Sequence, residues 1–482
     1  MSSAQATGRS RLSMPVLGLF TGLAVVQLLN GTVQGYLPPV LPAVGAKLGI
    51  DTVGQNRLLA TAVLSSVVLI PLISRLGDLY GHRRVLRVSV AVSTAGSLLI
   101  AAWPTPATLL VGVVLQGPAI GFFPLMIGIM RSRAPEYNRA GIGMLGGVVM
   151  AAVAASGLVG GILSERQPLA GLWVTVPVSA LAFGAALLLP ESVGPRVGRF
   201  HGGSALLLSV GLVGVMLAVS EGPSWGWASV PGLVALFGGV LALVAWALVE
   251  SRTAHPLVNL RLFRNRGLAT VLGIVFCVGF AGLGFVGPNI TFLAASPAQV
   301  GYGMGLGPQS LALVGLALIG LGAVSSPLAP LVLRRLGARP TLVTGTVLTA
   351  VSFVLMALWH DTLAEYMVGL VVLGLATGLF QVVARTLAVE AVAEDHTALA
   401  AGLTELCMGL GAATGSAVLA ALLAVHPLGT GRYVAMSGYL WCWGVCAGMS
   451  GVGLALVLAR RGHGTALDTT EAFAGGQRTT LG

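Results

Sequence analysis

Long apolar stretches, separated by short polar connections, follow one another along almost the whole of this chain. A transmembrane helix needs about 20 mainly apolar residues, with a range of about 17 to 25, to cross the hydrocarbon core of a bilayer. Fourteen stretches of this kind cover residues 15–37, 55–73, 87–104, 107–130, 141–163, 171–190, 203–220, 229–250, 268–294, 309–333, 340–359, 364–389, 397–424 and 436–459. The pattern predicts an all-α polytopic membrane protein with 14 transmembrane helices.

The composition excludes a large soluble domain. Of the 482 residues, 56% are hydrophobic and 9% are charged, whereas an average soluble domain has about 25% charged residues. The mean hydropathy is +0.93, and the deficit of charge extends over the whole length, so a single buried core cannot explain it. The four cysteines lie within predicted spans. Cys442 and Cys446 are one helical turn apart, but neither His nor a carboxylate accompanies them, so we expect packed core residues and no metal site.

The net charge of +11 reflects membrane topology rather than nucleic-acid binding. With 14 spans, nearly every cationic residue falls on connections of one side, and the exceptions are Lys47, Arg57, Arg166, Arg432 and the intraspan Arg385. This is the positive-inside bias, which predicts that both termini are cytoplasmic and that the basic loops meet anionic lipid headgroups of the bilayer. The first span is too long for a cleaved signal peptide, so we expect the N-terminus to stay in the cytoplasm.

Two pairs of similar segments indicate an internal repeat. A basic turn at 74–84 follows the second span, and another at 331–339 follows the tenth; segments 134–141 and 393–402 form a second pair. We therefore expect two six-helix halves around a midplane cavity. The predicted organisation is a cytoplasmic N-terminus at 1–14, an N-terminal half at 15–190, two inserted helices with flanking loops at 191–266, a C-terminal half at 267–460 and a disordered cytoplasmic tail at 461–482.

The first basic turn carries a family resemblance. Its sequence from Asp78 to Arg84, Asp-Leu-Tyr-Gly-His-Arg-Arg, resembles the signature loop between the second and third helices of the major facilitator superfamily. The matching residues are Asp78, Gly81, Arg83 and Arg84, whereas Ser74, Leu79 and His82 depart from the pattern. The resemblance implies a gating loop in which Asp78, with the two arginines, latches the cytoplasmic side. A solvated turn is the alternative.

Other segments resemble the fourteen-helix drug:proton antiporter branch of that superfamily. They are 188–192 at the end of the sixth span, and 222–227 and 253–266, which flank the eighth. The resemblance implies an exporter of the multidrug or antibiotic type. The chain departs from the branch at three places: Asn30 stands where an acid is usual, Val113 stands where an Arg precedes Gln116, and the glycine motif at 156–161 lacks its proline.

Ionisable groups inside a bilayer are functional candidates, because each costs about 2.5–3.5 kcal/mol on insertion scales. Arg385 lies in span 12 and Glu405 in span 13, at similar depths if the two spans are antiparallel neighbours. We hypothesise that they pair and that Glu405 replaces the missing acid of the first helix as the proton site. A structural ion pair that never titrates is the alternative. Glu250 and Glu390 lie near the cytoplasmic edge, where we expect them to be solvated.

Polar residues within apolar helices are the candidates for the substrate cavity. The set comprises Asn30, Gln34, Gln116, Asn289, Gln309 and Gln381, each of which could instead bond a neighbouring helix. Apolar walls with few polar anchors suit a large, amphipathic or neutral ligand.

The combined prediction is export of a small organic molecule, an antibiotic or other secondary metabolite, by alternating access across the bacterial cytoplasmic membrane. A role in self-resistance fits this prediction. The energy source is expected to be the proton gradient, with no cofactor and no metal, and the protein is expected to be a monomer that does not bind nucleic acid. A P-loop is absent from the sequence, and neither a nucleophile–base pair nor a metal cluster indicates an enzyme. The alternatives are a uniporter or importer of a metabolite, and a non-transporting sensor.

Overall fold

A computed structural model describes residues 14–191, 202–226, 228–253, 266–325, 328–390, 397–429 and 433–459. The expected C-terminal tail at 461–482 lies outside these ranges, as does the expected N-terminal segment at 1–14 apart from residue 14. The described chain is almost entirely helical. Its helices are α1 Met14–Gly35, α2 Leu37–Leu48, α3 Thr52–Tyr80, α4 His82–Ala102, α5 Pro106–Gln116, α6 Phe122–Arg133, α7 Asn138–Arg166, α8 Thr175–Leu188, α9 Gly202–Trp225, α10 Val230–Arg252, α11 Arg266–Val278, α12 Val286–Ala294, α13 Pro297–Val300, α14 Pro308–Ser325, α15 Ala329–Leu336, α16 Ala338–Leu358, α17 Leu363–Glu390, α18 Thr397–Ala424 and α19 Met436–Ala459.

Thirteen spans in the described ranges are long and apolar enough to cross a membrane, which confirms a multi-pass membrane protein. The tenth predicted span, 309–333, is different. It corresponds to α14, whose apolar part within the described residues, Pro308–Gly322, is shorter than the other spans, and to α15, with residues 326–327 between them outside the described ranges. The predicted count of 14 is therefore approximate.

Prolines explain several breaks within the spans. Proline lacks the N–H that would continue a helical hydrogen-bond ladder. Pro118 falls in a 3-10 turn, Gly117–Gly121, that separates α5 from α6. Pro288 lies in α12, just after a π turn at Gly279–Leu283, and Gly284 N donates to Gly279 O across that turn. The ninth span thus remains one membrane-crossing unit with a local irregularity at its centre.

The helices pack as two groups with a further pair beside them. In the N-terminal group α1 packs against α7 and α8, and α4 packs against α5 and α8. In the C-terminal group α16 packs against α17 and α19, and α11 packs against α18. The inserted helices α9 and α10 pack mainly on each other, and α9 also contacts α3 and α18. The pair therefore touches both groups.

The two ends of the bundle differ in chemistry. We call the end with the turns at Gly81 and Gly337 the basic face, and the opposite end, which carries a short β-hairpin, the distal face. The hairpin pairs Pro427 with Val434 and Leu428 with Tyr433 in antiparallel register. This ladder is a small departure from the all-α prediction, in a connection too short for the hydropathy pattern to resolve.

Candidate transport path and gates

The first helix carries a ladder of neutral amides in place of an acid. Asn30 is 4% exposed, and its Nδ2 donates to Gln27 Oε1 at 3.4 Å. Gln34, one turn further along α1, donates from Nε2 to Asn30 Oδ1 at 2.6 Å and is itself exposed. Amides do not titrate in the physiological range, so this ladder cannot bind or release protons. It presents one exposed polar tip, Gln34, from an otherwise apolar helix.

Gln116, one of the candidates for the substrate cavity, lies buried between helices of the N-terminal half. The residue is 2% exposed, at the end of α5. Its Oε1 accepts from Tyr36 Oη at 3.1 Å, and its Nε2 donates to Ser97 Oγ at 3.0 Å. The amide thus joins α5, α4 and the break between α1 and α2 inside the N-terminal half. These bonds to neighbouring helices correspond to the alternative to cavity lining that the sequence left open for Gln116.

The two halves meet at the distal face through α7 and α14. A Cβ at Gly161 would lie 2.6 Å from Pro308 O and 2.9 Å from Ala312 Cβ, so only glycine permits this approach. Glu165, one turn later on α7, accepts from Gln309 N at 3.3 Å through Oε2. An acidic side chain at a helix N-terminus is favourable, because it meets unpaired backbone N–H groups. The loss of the motif proline is accompanied here by a close glycine contact between the halves.

Towards the basic face, α7 and α14 separate. Met150 lies on the same face of α7 as Gly161, three turns earlier, and it is 51% exposed. Gly147 on α7 and Gly315 on α14 have no atom within 4 Å of where a Cβ would be. The contact at Gly161 therefore does not continue along the helices. Along α7 and α14, the halves are closed against each other at the distal face and diverge towards the basic face.

The predicted gating loop docks onto the end of α8. Arg83 donates from Nη2 to Leu187 O at 3.0 Å, and Arg87 donates from Nε to Ala186 O at 3.0 Å and from Nη2 to Leu187 O. These arginines pair with carbonyls that a helix C-terminus leaves unbonded. Arg84 is exposed. For Asp78, the structure describes the backbone at the end of α3 and not the side chain.

Glu191 is a partner of this loop that the sequence did not identify. Its Oε1 accepts from Arg83 N at 3.1 Å, and its backbone oxygen accepts from Arg133 Nε at 2.8 Å. Gly81, with φ of +100°, lies so close that a Cβ would be 3.0 Å from Glu191 Oε1. The carboxylate therefore receives an N–H of the first turn of α4. A signal was available, because residues 188–192 resemble a branch signature.

The proposed coupling residues lie on helices that pack together. Arg385 and Gln381 belong to α17 and Glu405 to α18, and these two helices are in contact. The side chains of all three residues lie outside the part of the chain that the structure describes. The pairing of Arg385 with Glu405 and the cavity role of Gln381 therefore remain predictions.

Glu250 is not solvated, contrary to the expectation from its position. It is 2% exposed, and Ser204 Oγ donates to its Oε2. The contact joins α9 to α10 at the basic face. The sequence placed Glu250 at a membrane edge but did not reveal that the first turn of α9 covers it. Among the described residues, three or more His, Cys, Asp or Glu side chains nowhere come together as a metal site.

Two helical halves that meet at one face and part towards the other, around an uncharged first helix, are an architecture typical of a membrane transporter. The family profile described as Major Facilitator Superfamily matches residues 23–334 and 271–477. The chain belongs to this superfamily, which confirms the resemblance of its first basic turn.

Relatives and solved structures agree with this assignment. The tetracenomycin C resistance and export protein of Streptomyces glaucescens is 30% identical, over 86% of this chain and 77% of that protein. The puromycin resistance protein of Streptomyces alboniger is 31% identical, over 81% of this chain and 78% of its own length. The nucleoside transporter NupG matches 92% of this chain and 98% of its own, with a TM-score of 0.65 and 15% identity. That structural likeness concerns the fold alone.

Proposed function

We propose that this protein exports a small organic molecule, an antibiotic or other secondary metabolite, by alternating access across the bacterial cytoplasmic membrane. The basic face, with both termini, is then cytoplasmic, as the positive-inside bias predicts. The observation that carries the proposal is the unequal contact between α7 and α14 of the two halves, close at the distal face and divergent towards the basic face. With the basic face in the cytoplasm, the substrate enters the open end of the path from the cytoplasm. The relatives named for tetracenomycin C and puromycin support export as the direction and antibiotics as the class.

We assign the coupling to a proton gradient and the proton site to Glu405. The first helix cannot serve, because Asn30 and its two amide partners do not titrate. Glu405 lies eight residues after Thr397 at the start of α18, and Arg385 lies five before Glu390 at the end of α17. With a rise of about 1.5 Å per residue, the two reach comparable depths on helices that are in contact. A carboxyl group that alternates between an arginine and an open cavity changes its proton affinity between the two states.

The first prediction tests direction and coupling together. An efflux-deficient host expressing the chain is loaded with antibiotics, tetracenomycin C and puromycin included, and efflux is followed with and without a proton uncoupler. We expect uncoupler-sensitive efflux, and we expect Glu405→Gln to lower its rate by at least about tenfold, the loss typical of a missing proton-transfer group. The matched control is Glu136→Gln, because Glu136 is an exposed carboxylate on the basic face.

Two results contradict the proposal in different ways. Full uncoupler-sensitive efflux in Glu405→Gln removes Glu405 from the proton path but leaves export intact. Accumulation of substrate instead of efflux, or flux that ignores the uncoupler, favours the second candidate, a metabolite importer or uniporter. The neutral amide ladder on α1 is the observation that keeps this candidate open.

A further inference from the structure

A single hydroxyl group joins three helices where the halves meet at the distal face. Thr291 of α12 is 6% exposed, and its Oγ1 bonds the Gly287 or Pro288 carbonyl of its own helix, at 3.1 and 3.2 Å. The same oxygen accepts from Asn56 Nδ2 of α3 at 3.3 Å and from Tyr439 Oη of α19 at 3.2 Å. A hydroxyl offers one donor and two acceptor positions, so all three are used.

Asn56 is the contribution of the N-terminal half to this hub. The residue is 2% exposed, and its Nδ2 also donates to Thr52 O at 2.9 Å. Its Oδ1 has no hydrogen-bond partner within the described ranges. A Cβ at Gly287 would lie 2.4 Å from this oxygen, so α12 reaches Asn56 with its backbone as well as with Thr291. Contact between the halves at this seam is therefore close and depends on few polar atoms.

The C-terminal half holds its side of the hub rigidly. Tyr439 is 1% exposed, and its ring lies 5.3 Å from that of Phe292 and 5.5 Å from that of Tyr302. Tyr302 donates from its phenol to Val434 O at the hairpin, and burial raises the pKa of this phenol to about 12. Thr291 thus receives one bond from a fixed aromatic cluster and one from the opposite half. Of the bonds to Thr291, only the one from Asn56 crosses between the halves and must break when they part.

We propose that Thr291 is the latch of the outer gate, holding Asn56 while the path is open to the cytoplasm and releasing it when the path opens outwards. The inference rests on the proposed alternating access and orientation. Removing the hydroxyl penalises the closed state selectively, because one N–H of Asn56 Nδ2 then stays buried without an acceptor, while the other keeps Thr52 O. In the open state, entering water replaces that acceptor. Thr291 is a positioning residue, since it acts through the contact between the halves and not on the substrate.

Thiol accessibility tests the latch without requiring a substrate. Leu59 lies one turn from Asn56 on α3, is 9% exposed, and its Cδ1 is 3.6 Å from where a Cβ of Gly287 would be. The four native cysteines, all buried, are replaced, and Leu59→Cys becomes the only thiol in the full-length chain. A membrane-impermeant maleimide is then added to intact cells, and labelling rates are compared. We expect Thr291→Val to raise the rate about tenfold.

Matched variants separate a latch from general destabilisation. Thr291→Ser keeps the hydroxyl and should stay within about twofold of the parent rate. Thr349→Val makes the same change at another fully buried threonine, whose Oγ1 bonds Gly345 O of its own helix at 2.9 Å, and should not raise labelling. Asn56→Ala should match Thr291→Val, and the double variant should label no faster than either, because both break one bond.

Each outcome decides between named alternatives. An unchanged rate in Thr291→Val, or an equal rise in Thr349→Val, overturns the latch. Should Thr291→Val fail to reach the membrane, Asn56→Ala carries the same expectation, and an unchanged rate there is equally decisive. If Thr291→Val raises the labelling rate only in inside-out vesicles, the latch is retained, but the distal face is the cytoplasmic one. If the unmodified chain shows no efflux in the earlier assay while the labelling rates follow the expectations above, the proposed function is rejected and the latch is retained.

Discussion

The turns at Gly81 and Gly337 occupy matching places in the two halves and solve the same problem. In each, a glycine at positive φ, +100° and +81°, separates two helices. An arginine beyond it donates to a carbonyl at the end of the last helix of its own half: Arg83 to Leu187, and Arg339 to Leu458 at 3.3 Å. The arginines of the basic face therefore have a structural role besides setting topology, because they bond carbonyls that a helix end leaves free.

The turns differ in how tightly they are bound. Glu191 lies against Gly81, accepts the backbone N–H of Arg83 and offers its own carbonyl to Arg133 of α6. Gly337, in contrast, has no atom within 4 Å of where a Cβ would be. Glu191 thus ties the first turn to α4 through its carboxylate and to α6 through its backbone carbonyl. The comparison teaches that an internal repeat preserves backbone geometry, while added side chains make one copy stiffer than the other.

The largest effect is expected from adding a methyl group to the two glycines. Gly337→Ala should lower the free energy of unfolding by about 1–2 kcal/mol, because φ of +81° with ψ of +170° is a region that only glycine adopts readily. Gly81→Ala should cost about 3 kcal/mol, since the same strain is joined by a clash with Glu191. Thermal unfolding of the detergent-solubilised protein, followed by tryptophan fluorescence, measures both. Equal losses would mean that Glu191 moves freely and the first turn is not tighter.

A smaller effect should follow from removing the anchor itself. Glu191→Ala should cost about 1–2 kcal/mol, similar to the loss of a helix cap, whereas Glu191→Gln, which retains an acceptor oxygen, should cost about 0.5–1 kcal/mol. The same unfolding assay applies, with Glu136→Gln as an exposed control on that face. In a Glu191→Ala background, Gly81→Ala should lose its extra penalty and resemble Gly337→Ala. Additive penalties would contradict direct contact between the two residues.

The smallest effect is expected at the second turn. Arg339 has an exposed hydrogen bond to Leu458 O, so Arg339→Gln should cost about 0.5 kcal/mol. Arg83→Gln should cost more, about 1 kcal/mol, because its guanidinium bonds Leu187 O at 3.0 Å beside the anchored turn. Urea-induced unfolding in mixed micelles resolves differences of this size when the two variants are measured in parallel. A larger loss at Arg339 would reverse the order of the two turns.

The sequence predicted the features that depend on local pattern. Apolar length identified the spans, and the repeated glycines and arginines identified both turns before their geometry was known. The number of spans was predicted only approximately, because the apolar helix at the tenth place is short within the described residues. Glu250 was predicted to be solvated, because a single sequence does not reveal that Ser204 of the neighbouring helix covers it.

Contacts across long separations were beyond the sequence. Gln116 was singled out as a polar residue, but its partner Tyr36 lies 80 positions away. Asn56 and Thr291 are separated by 235 positions, and neither residue was unusual for a helix. Threonine in particular bonds its own helix so readily that its presence indicates nothing about a partner. Which polar groups meet is decided by the packing of the halves and not by any local pattern.

The uncharged first helix has an electrical consequence for the proposed cycle. From Met14 to Gly35, α1 carries no ionisable side chain, and its polar ladder consists of amides. Moving one elementary charge through the membrane potential involves about 2.3 kcal/mol per 100 mV. When the halves rock, the side chains of α1 therefore carry no charge through the field, and the membrane voltage does no work on them. Any voltage dependence of transport must arise from charges on other helices or on the substrate itself.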